Sequence, residues 1–301
     1  LDATRYGALT ATQVKAFTTT QIAGMDSSDV AKLGATQLQA LSLAQVGALT
    51  TTGIADLAAT QMQALATTQL NALSSTNLNA LTDTQLAALT TTQIVGLSTT
   101  QAAALTATNV GSLTTTQVGS LTAAQLGRLS SDALIAFDAT QFGALSATQV
   151  RALSTTQLGN LDANDIAEFT TTQIAGLATT QVRGLNDTAI AALAATQIAA
   201  LTTAQVQSLN TTSLVAFLDT QVAAMTTTQV AALTTTQVAA LDTTNVAALA
   251  ATQLAALTGT QITALGSTNF ATLDATQVGA LTTTQMRSLS TTQVANIDAA
   301  Q

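Results

Sequence analysis

Apolar side chains recur along this chain with a period of eight residues. Counted from Leu1, the first residue of every octad is apolar, and the sixth is apolar or, at Tyr6, aromatic. Three successive octads run from Met225 to Leu249 and read MTTTQVAALTTTQVAALDTTNVAAL. No insertion or deletion breaks the phase, although flexible loops tolerate insertions cheaply. The pattern therefore predicts one continuous repeat solenoid over residues 1–301, with no domain boundary.

Each octad carries the signals that begin an α-helix. Position two is Thr, Ser, Asp, Asn or Gly in 32 of the 38 octads, and position five is Gln in 27 of them. A polar N-cap followed three residues later by Gln is a capping box, and apolar residues at positions one and six form a hydrophobic staple. The sequence therefore predicts an all-α solenoid of 37–38 octads, each a short capped helical turn followed by a corner.

Two other backbone conformations compete with this interpretation. In one continuous helix, eight residues advance about 800°, so the apolar rows would drift by about 80° per octad and form no buried stripe. A β-solenoid with three-sided coils stays open as the alternative, because Thr, Val and Ile suit strands. The Leu and Ala-Ala positions favour the helical prediction.

A second, longer period appears at position five. Its departures from Gln are always three or four octads apart, with a mean spacing of 3.3 octads. This spacing predicts a superhelix with about 3.3 octads per turn, in which the marked octads return to one face. The departures are Arg5, Asp29, Gly53, Asn77, Asn109, Ala133, Asp165, Ala189, Ser213, Asn245 and Asn269.

Most acidic residues lie in the marked octads. Together with the octad beginning at Ile297, they hold 11 of the 15 acidic residues. We predict that their face meets solvent or contacts a neighbouring molecule, whereas positions one and six never do. Its members are called the candidate stripe: Asp26, Asp29, Asn77, Asn109, Asp162, Asp165, Glu168, Asn245 and Asn269.

Calcium is a candidate ligand of the densest acidic groups in this stripe. Calcium takes six to eight oxygen ligands, and neither Asp26 with Asp29 nor the group around Asp162 and Asp165 supplies that many. Each Asp pair also occupies the N-cap and N3 positions, so capping explains both pairs without a metal. No cofactor or metal is therefore expected.

Composition narrows the function further. The chain has no His or Cys and only 7% charged residues, so Ser and Thr have no evident catalytic base, and we expect no enzyme. The net charge of −8 argues against nucleic acid as a partner. No apolar run approaches the roughly 18 residues that a membrane span needs.

The Ala, Thr, Gln and Leu octads without Cys resemble the repeat tracts of large bacterial surface and adhesin-like proteins. The resemblance implies an extracellular or cell-surface rod or filament subunit, such as a stalk, a surface fibre or a biofilm matrix component. Leu1 and Gln301 are both in phase and no atypical capping repeat is seen, so we expect a longer chain or self-association, end to end or side by side. The alternative is a binding module that uses its Thr rows against ice, a surface or a glycan.

Overall fold

The structure, a computed structural model, describes residues 3–297 and contains 37 short α-helices in that range. It divides between Leu153 and Ser154 into two compact units. The first unit contains α1 Ala3–Gly7, α2 Ala11–Lys15, α3 Thr19–Ala23, α4 Ser27–Ala31, α5 Ala35–Ala40, α6 Leu43–Gly47, α7 Thr51–Ala55, α8 Ala59–Ala64, α9 Thr67–Asn71, α10 Ser75–Asn79, α11 Asp83–Ala88, α12 Thr91–Val95, α13 Thr99–Ala104, α14 Ala107–Gly111, α15 Thr115–Ser120, α16 Ala123–Leu126, α17 Ser131–Leu134, α18 Ala139–Gly143 and α19 Ala147–Arg151.

The second unit continues the same repeat. It contains α20 Thr155–Gly159, α21 Ala163–Ala167, α22 Thr171–Gly176, α23 Thr179–Arg183, α24 Asp187–Ala192, α25 Ala195–Ala200, α26 Thr203–Ser208, α27 Thr211–Val215, α28 Asp219–Ala224, α29 Thr227–Ala232, α30 Thr235–Ala240, α31 Thr243–Ala247, α32 Ala251–Ala256, α33 Gly259–Ala264, α34 Gly266–Phe270, α35 Ala275–Gly279, α36 Thr283–Ser288 and α37 Thr291–Ile297. The single continuous solenoid over residues 1–301 stays a prediction.

The predicted capping box forms at more than half of the helix starts in the described residues. Before α30, Thr234 is extended, with φ −70° and ψ 155°, and its Oγ1 accepts the Gln237 N–H at 3.1 Å. The Gln237 Oε1 in turn accepts the Thr234 N–H at 2.9 Å. Leu241 is again extended and ends the helix. One octad therefore contains a cap, little more than one turn of helix, and a corner.

Two positions depart from this local pattern for identifiable reasons. Leu265 stays helical after α33, so the chain must turn at Gly266, whose φ of 73° favours glycine. Gly96 lies so close to Thr67 of a neighbouring coil that a Cβ atom at Gly96 would clash with the Thr67 side chain. Glycine is therefore favoured at 266 by its backbone conformation and at 96 by the close approach of Thr67.

The core of each unit consists of positions one and six, as predicted. In α30 and its corner, Val238 is fully buried and Leu241 is 6% exposed. Within each unit, helices pack on the third helix after them, as α30 does on α33 and α5 on α8. The stacked octads therefore bury two apolar rows that a single octad would leave in water.

The prediction that these two rows never meet solvent is wrong in the first and last coils of the described residues. Met286 is 41% exposed and Val294 is 50% exposed, although both occupy position six. Leu9 and Phe17, at position one, are half-buried. At these helices the described residues supply a neighbouring coil on one side only.

The predicted fold class is confirmed. The described residues contain helices but no strand, so the β-solenoid alternative is wrong for this range. Helices stack at a distance of three octads, and position-five side chains bond carbonyl groups 28–31 residues earlier. Within each unit the coil therefore returns between three and four octads, as the period at position five predicts.

Candidate interaction surface

The structure separates the candidate stripe into exposed and buried residues. Asp26 and Asp162, both at position two, are exposed, and Asp165, Glu168 and Asn269 are half-buried. The remaining four side chains, all at position five, are buried: Asp29, Asn77, Asn109 and Asn245. The prediction that position five of the marked octads meets solvent or another molecule is therefore wrong for these four. An interaction through the exposed part of the stripe stays a prediction.

The position-five side chain is buried because it forms hydrogen bonds between neighbouring coils. The Gln237 Nε2 donates to the Val206 carbonyl at 2.9 Å and to the Leu209 carbonyl at 2.9 Å, both on the preceding coil. The same bonds, 31 and 28 residues back, recur at Gln93 and Gln117 in the first unit. Gln at position five therefore has the buried capping role that its repetition predicts, and it joins neighbouring coils as well.

The marked octads do lie above one another. Asp29, Gly53 and Asn77 lie on α4, α7 and α10, and these three helices stack in succession. A Cβ atom at Gly53 would sit 3.1 Å from a methyl group of Val30 in the octad below. Asn77 donates to the Leu49 carbonyl at 2.8 Å, which is the position-one carbonyl that a Gln would also reach. Gly53 therefore allows a close approach to Val30, and Asn77 keeps one of the carbonyl bonds that Gln makes elsewhere.

The two acidic pairs are capping boxes built from carboxylates. The Asp26 Oδ1 accepts the Asp29 N–H at 2.9 Å, and the Asp162 Oδ1 accepts the Asp165 N–H at 3.0 Å. The hydroxyl of Ser28, which donates to Asp26 at 2.7 Å, lowers the pKa of Asp26, and the Asp29 N–H adds to this effect. Partial burial raises the pKa of Asp165, although the Asp162 N–H bonds its carboxylate. These carboxylates therefore cap helices in two different environments.

The geometry does not assemble a metal site from these acids. Across residues 3–297, no three carboxylates are arranged so that they could hold a metal ion. The acidic groups that the sequence identifies as densest are distributed over N-cap and helical positions, and their oxygens already accept backbone N–H groups. The arrangement supports helix capping.

The surface that each octad does present is made of threonine and alanine. In α30, Thr234, Thr235 and Thr236 are all exposed, and Ala239 is exposed beside them. The same exposed positions two, three, four and seven recur along both units. Uncharged hydroxyl and methyl groups therefore dominate the accessible face.

Position seven forms a second row of bonds between coils that the sequence interpretation missed. Gln39 donates to the Ala64 carbonyl at 3.0 Å, and Gln207 donates to the Ala232 carbonyl at 2.9 Å, in each case 25 residues later. Asn71 bonds the Gly96 carbonyl in the same way at 2.7 Å. The occasional Gln and Asn at position seven, where Ala and Gly are otherwise frequent, were the available signal.

The helices themselves are all short. The longest in the described range, α37, has seven residues, and no helix there is long and apolar enough to cross a membrane.

The fold and this surface define a class of protein, an α-helical tandem-repeat solenoid with a structural or binding role. A family model for the ALTTAQ repeat matches residues 22–59, 84–115, 166–203, 199–235 and 215–251, together just over half of the chain. The chain belongs to the ALTTAQ repeat family. Searches of curated proteins and of solved structures returned no match.

Proposed function

We propose that this chain is a structural protein, a solenoid rod or filament subunit exposed at the cell surface or outside the cell. The observation that supports it best is the ladder of buried amide bonds that joins each coil to the previous one. Gln229, Gln237 and Gln253 all bond carbonyls 31 and 28 residues back. A molecule held by the same contacts in coil after coil is suited to bearing load.

The energetics support a scaffold whose strength comes from repetition. A net intramolecular hydrogen bond contributes roughly 0.5–1.5 kcal/mol, and burial raises the cost of breaking it without a replacement. One position-five amide supplies two or three such bonds to the coil below, as Gln237 does at 2.9, 3.4 and 2.9 Å. Each coil therefore resists separation from its neighbour by hydrogen bonds as well as by apolar packing.

The reactive chemistry of the chain is sparse, which favours a structural role over a catalytic one. The sequence contains no His and no Cys. The exposed hydroxyl groups of Thr234, Thr235 and Thr236 have no nearby base in their octad. The proposal therefore includes self-association, end to end or side by side, in place of a reaction.

Electron microscopy of the purified chain tests the filament. We expect long, thin fibres of uniform width at high protein concentration, and light scattering that rises with concentration. Monodisperse short particles at every concentration would remove the filament and leave a stalk. Circular dichroism of the same sample should show a helical spectrum, which links the fibres to the folded solenoid.

The location is tested on the organism that makes the protein. The absence of Cys and the resemblance to bacterial surface repeats support export. Immunogold labelling of intact cells should decorate the outer surface, and mild protease treatment should remove the label. Label that appears only after the cells are opened would overturn the proposed location.

A second candidate function rests on the exposed threonines. Position four is Thr in most octads and is exposed in helices such as α29, α30 and α31, at Thr228, Thr236 and Thr244. Regular hydroxyl and methyl groups on a repeating face suit contact with ice, a mineral or glycan surface. Thermal hysteresis at millimolar protein tests ice, and a freezing-point depression no larger than that of an ordinary soluble protein would exclude it.

A further inference from the structure

A groove crosses the second unit between α28 and α31. It consists of two adjoining concavities of about 700 and 470 Å³, which share Asp219, Thr220 and Thr244. We call it the α28–α31 groove. Ala223, Ala247 and Ala248 line one end of it, and Val215 and Leu218 line the other. Its lining is therefore largely apolar, although it opens on an exposed face of the solenoid.

A shortened side chain at position five adjoins the groove. Asn245 occupies position five of α31 and donates only to the Phe217 carbonyl, at 3.2 Å. In the preceding octad, Gln237 reaches the corresponding carbonyl and also two others, 31 and 30 residues back. The equivalent carbonyls for position 245 belong to Leu214 and Val215, and no Gln covers them. Val215, Phe217 and Asn245 all line the groove, so the groove adjoins a place where the two coils are joined by fewer hydrogen bonds.

An unusual residue supplies the apolar edge of the groove. Leu218 occupies position two, where most octads have a polar N-cap residue, and its side chain makes no capping bond for α28. It is 56% exposed, the largest value among the exposed large hydrophobic side chains of the described residues. Its exposure therefore serves neither capping nor the core, and it is available to a ligand.

The rim of the groove is acidic and has no basic residue near it in the sequence. Asp219 follows Leu218 directly, and no described residue pairs with its carboxylate. Asp242 lies on the opposite side and accepts the Asn245 N–H at 2.8 Å. The chain has no Lys or Arg between Arg183 and Arg287. Two carboxylates beside an apolar groove, with no cation from this part of the chain, favour a ligand that combines positive charge with an apolar group.

We propose that the α28–α31 groove binds a short basic and apolar segment of another protein. An apolar side chain of the segment packs on Leu218, Ala223 and Ala247, and a neighbouring Lys or Arg pairs with Asp219 or Asp242. The groove excludes a purely acidic segment by repulsion and a purely polar one because Leu218 would gain no cover. This site is independent of filament formation, since it requires only one copy of the second unit.

Fluorescence anisotropy with a labelled synthetic peptide tests the proposal on the full chain. The probe has alternating Leu and Lys over roughly ten residues, which suits a short groove. We expect it to bind, with an affinity that falls as salt is added because the rim charges are exposed. Peptides with Glu in place of Lys, or Ser in place of Leu, should not bind. Equal binding of the Ser peptide, or full competition by spermidine, would show that charge alone acts and would overturn the proposal.

Three variants with matched controls locate the binding site. Asn245→Gln restores the residue usual at position five, supplies a donor for the Leu214 and Val215 carbonyls beside the groove and leaves the charge unchanged; its control is Asn109→Gln. Leu218→Thr restores a usual N-cap, and its control is Leu43→Thr, at another leucine that is 51% exposed. Asp219→Thr has Asp83→Thr as control, with the same change of charge at the same octad position.

The variants and controls are expected to separate clearly. Each groove variant should weaken the Leu–Lys peptide by about tenfold or more, a change of about 1.4 kcal/mol, and each control by less than about twofold. All groove variants introduce residues that are usual at those positions, so unfolding is not expected, and a helical spectrum with an unchanged melting transition verifies this. Equal losses in the variants and their controls would show that the peptide binds elsewhere.

Discussion

Helices α30 and α31 follow one another in the chain and differ in their first five residues at a single position, TTQVA against TTNVA. In α30, Gln237 bonds three carbonyls of the preceding coil, whereas in α31 Asn245 bonds one. The shorter side chain loses two of the three bonds to the preceding coil, and the α28–α31 groove lies beside it. The comparison shows that the residue at position five determines how many hydrogen bonds join two stacked coils. A change of residue type at this position therefore alters the packing of the coils before it alters the surface.

The largest effect that tests this comparison comes from removing the amide of α30. Gln237→Ala should lower the free energy of unfolding by about 2–4 kcal/mol, because it leaves buried carbonyl groups without a donor and the Thr234 N–H without its acceptor. Urea unfolding followed by circular dichroism measures this. The control is Gln207→Ala, which removes an exposed amide with a single bond between coils and should cost about 0.5 kcal/mol or less. Equal losses would break the comparison.

Removing the amide of α31 should cost less than removing that of α30. Asn245→Ala deletes one bond between coils, to Phe217, and a long capping bond of 3.4 Å from the Asp242 N–H. We expect a loss of about 1–2 kcal/mol, measured in the same urea titration. A loss as large as that of Gln237→Ala would mean that side-chain length at position five does not determine how strongly the coils are joined.

A gain in stability, smaller in size than these losses, is expected where the N-cap hydroxyl is missing and the position-five amide is present. Helix α32 begins after Ala250, whose φ of −66° and ψ of 152° match those of Thr234, but Ala250 makes no side-chain capping bond. Ala250→Thr should therefore stabilise the chain by about 0.5–1 kcal/mol, the usual worth of an N-cap. Thermal melting detects the gain, and Ala250→Val, which has the same shape without the hydroxyl, serves as the control and should not be stabilised.

The smallest effect concerns acidity, because Asp165 occupies the position that Asn245 occupies in α31. Burial raises the folded-state pKa of Asp165 above the unfolded value, so the stability that it contributes is present below the unfolded pKa and is lost as the pH rises through the folded pKa. Asp165→Asn should stabilise the chain at pH 7 by less than about 1 kcal/mol after solvent screening, and the gain should vanish near pH 3. Unfolding at both pH values measures the difference.

A gain from Asp165→Asn that is equally large at pH 3 and pH 7 would assign the effect to something other than ionisation. Asp138→Asn is the contrasting control, because the Thr140 hydroxyl and the Gln141 N–H lower the pKa of Asp138. A lowered folded-state pKa gives stability that is present above the unfolded pKa and is lost as the pH falls. The Asp138 variant should therefore be no more stable than the original chain at pH 7.

The fold could be predicted from the sequence because the residues of each octad are sufficient to specify its local conformation. Thr at position two and Gln at position five specify the cap, and Leu and Val specify the two buried rows, so helix, corner and core all follow from eight residues. The number of octads per superhelical turn, between three and four, was also indicated by the spacing of the departures from Gln at position five. Local signals that repeat in every unit leave few alternatives for the backbone.

The surface could not be predicted in the same way. Asn77, Asn109 and Asn245 stand at position five of the marked octads, which together hold most of the acidic residues, yet these side chains are buried, because position five points at the previous coil. Periodicity shows which octads stack, but the direction in which a polar side chain points depends on the carbonyls offered by another coil. The groove could not be predicted for the same reason. Leu218 is unusual at position two, but only the packing of α28 on α31 places it beside a cavity.

The position-five amides also give the chain a direction of assembly. Every bond of this kind runs from a later octad to carbonyls made 28–31 residues before it, and Gln37 is the first described residue that reaches back in this way, to Leu9. A chain that emerges from a ribosome or a secretion pore with its N-terminus leading therefore offers the acceptors before the donors arrive. Each new octad then adds to a template that is already complete, across short sequence separations that favour rapid folding. Folding in this order needs no late rearrangement, and the rate at which one octad folds does not depend on how many octads follow it.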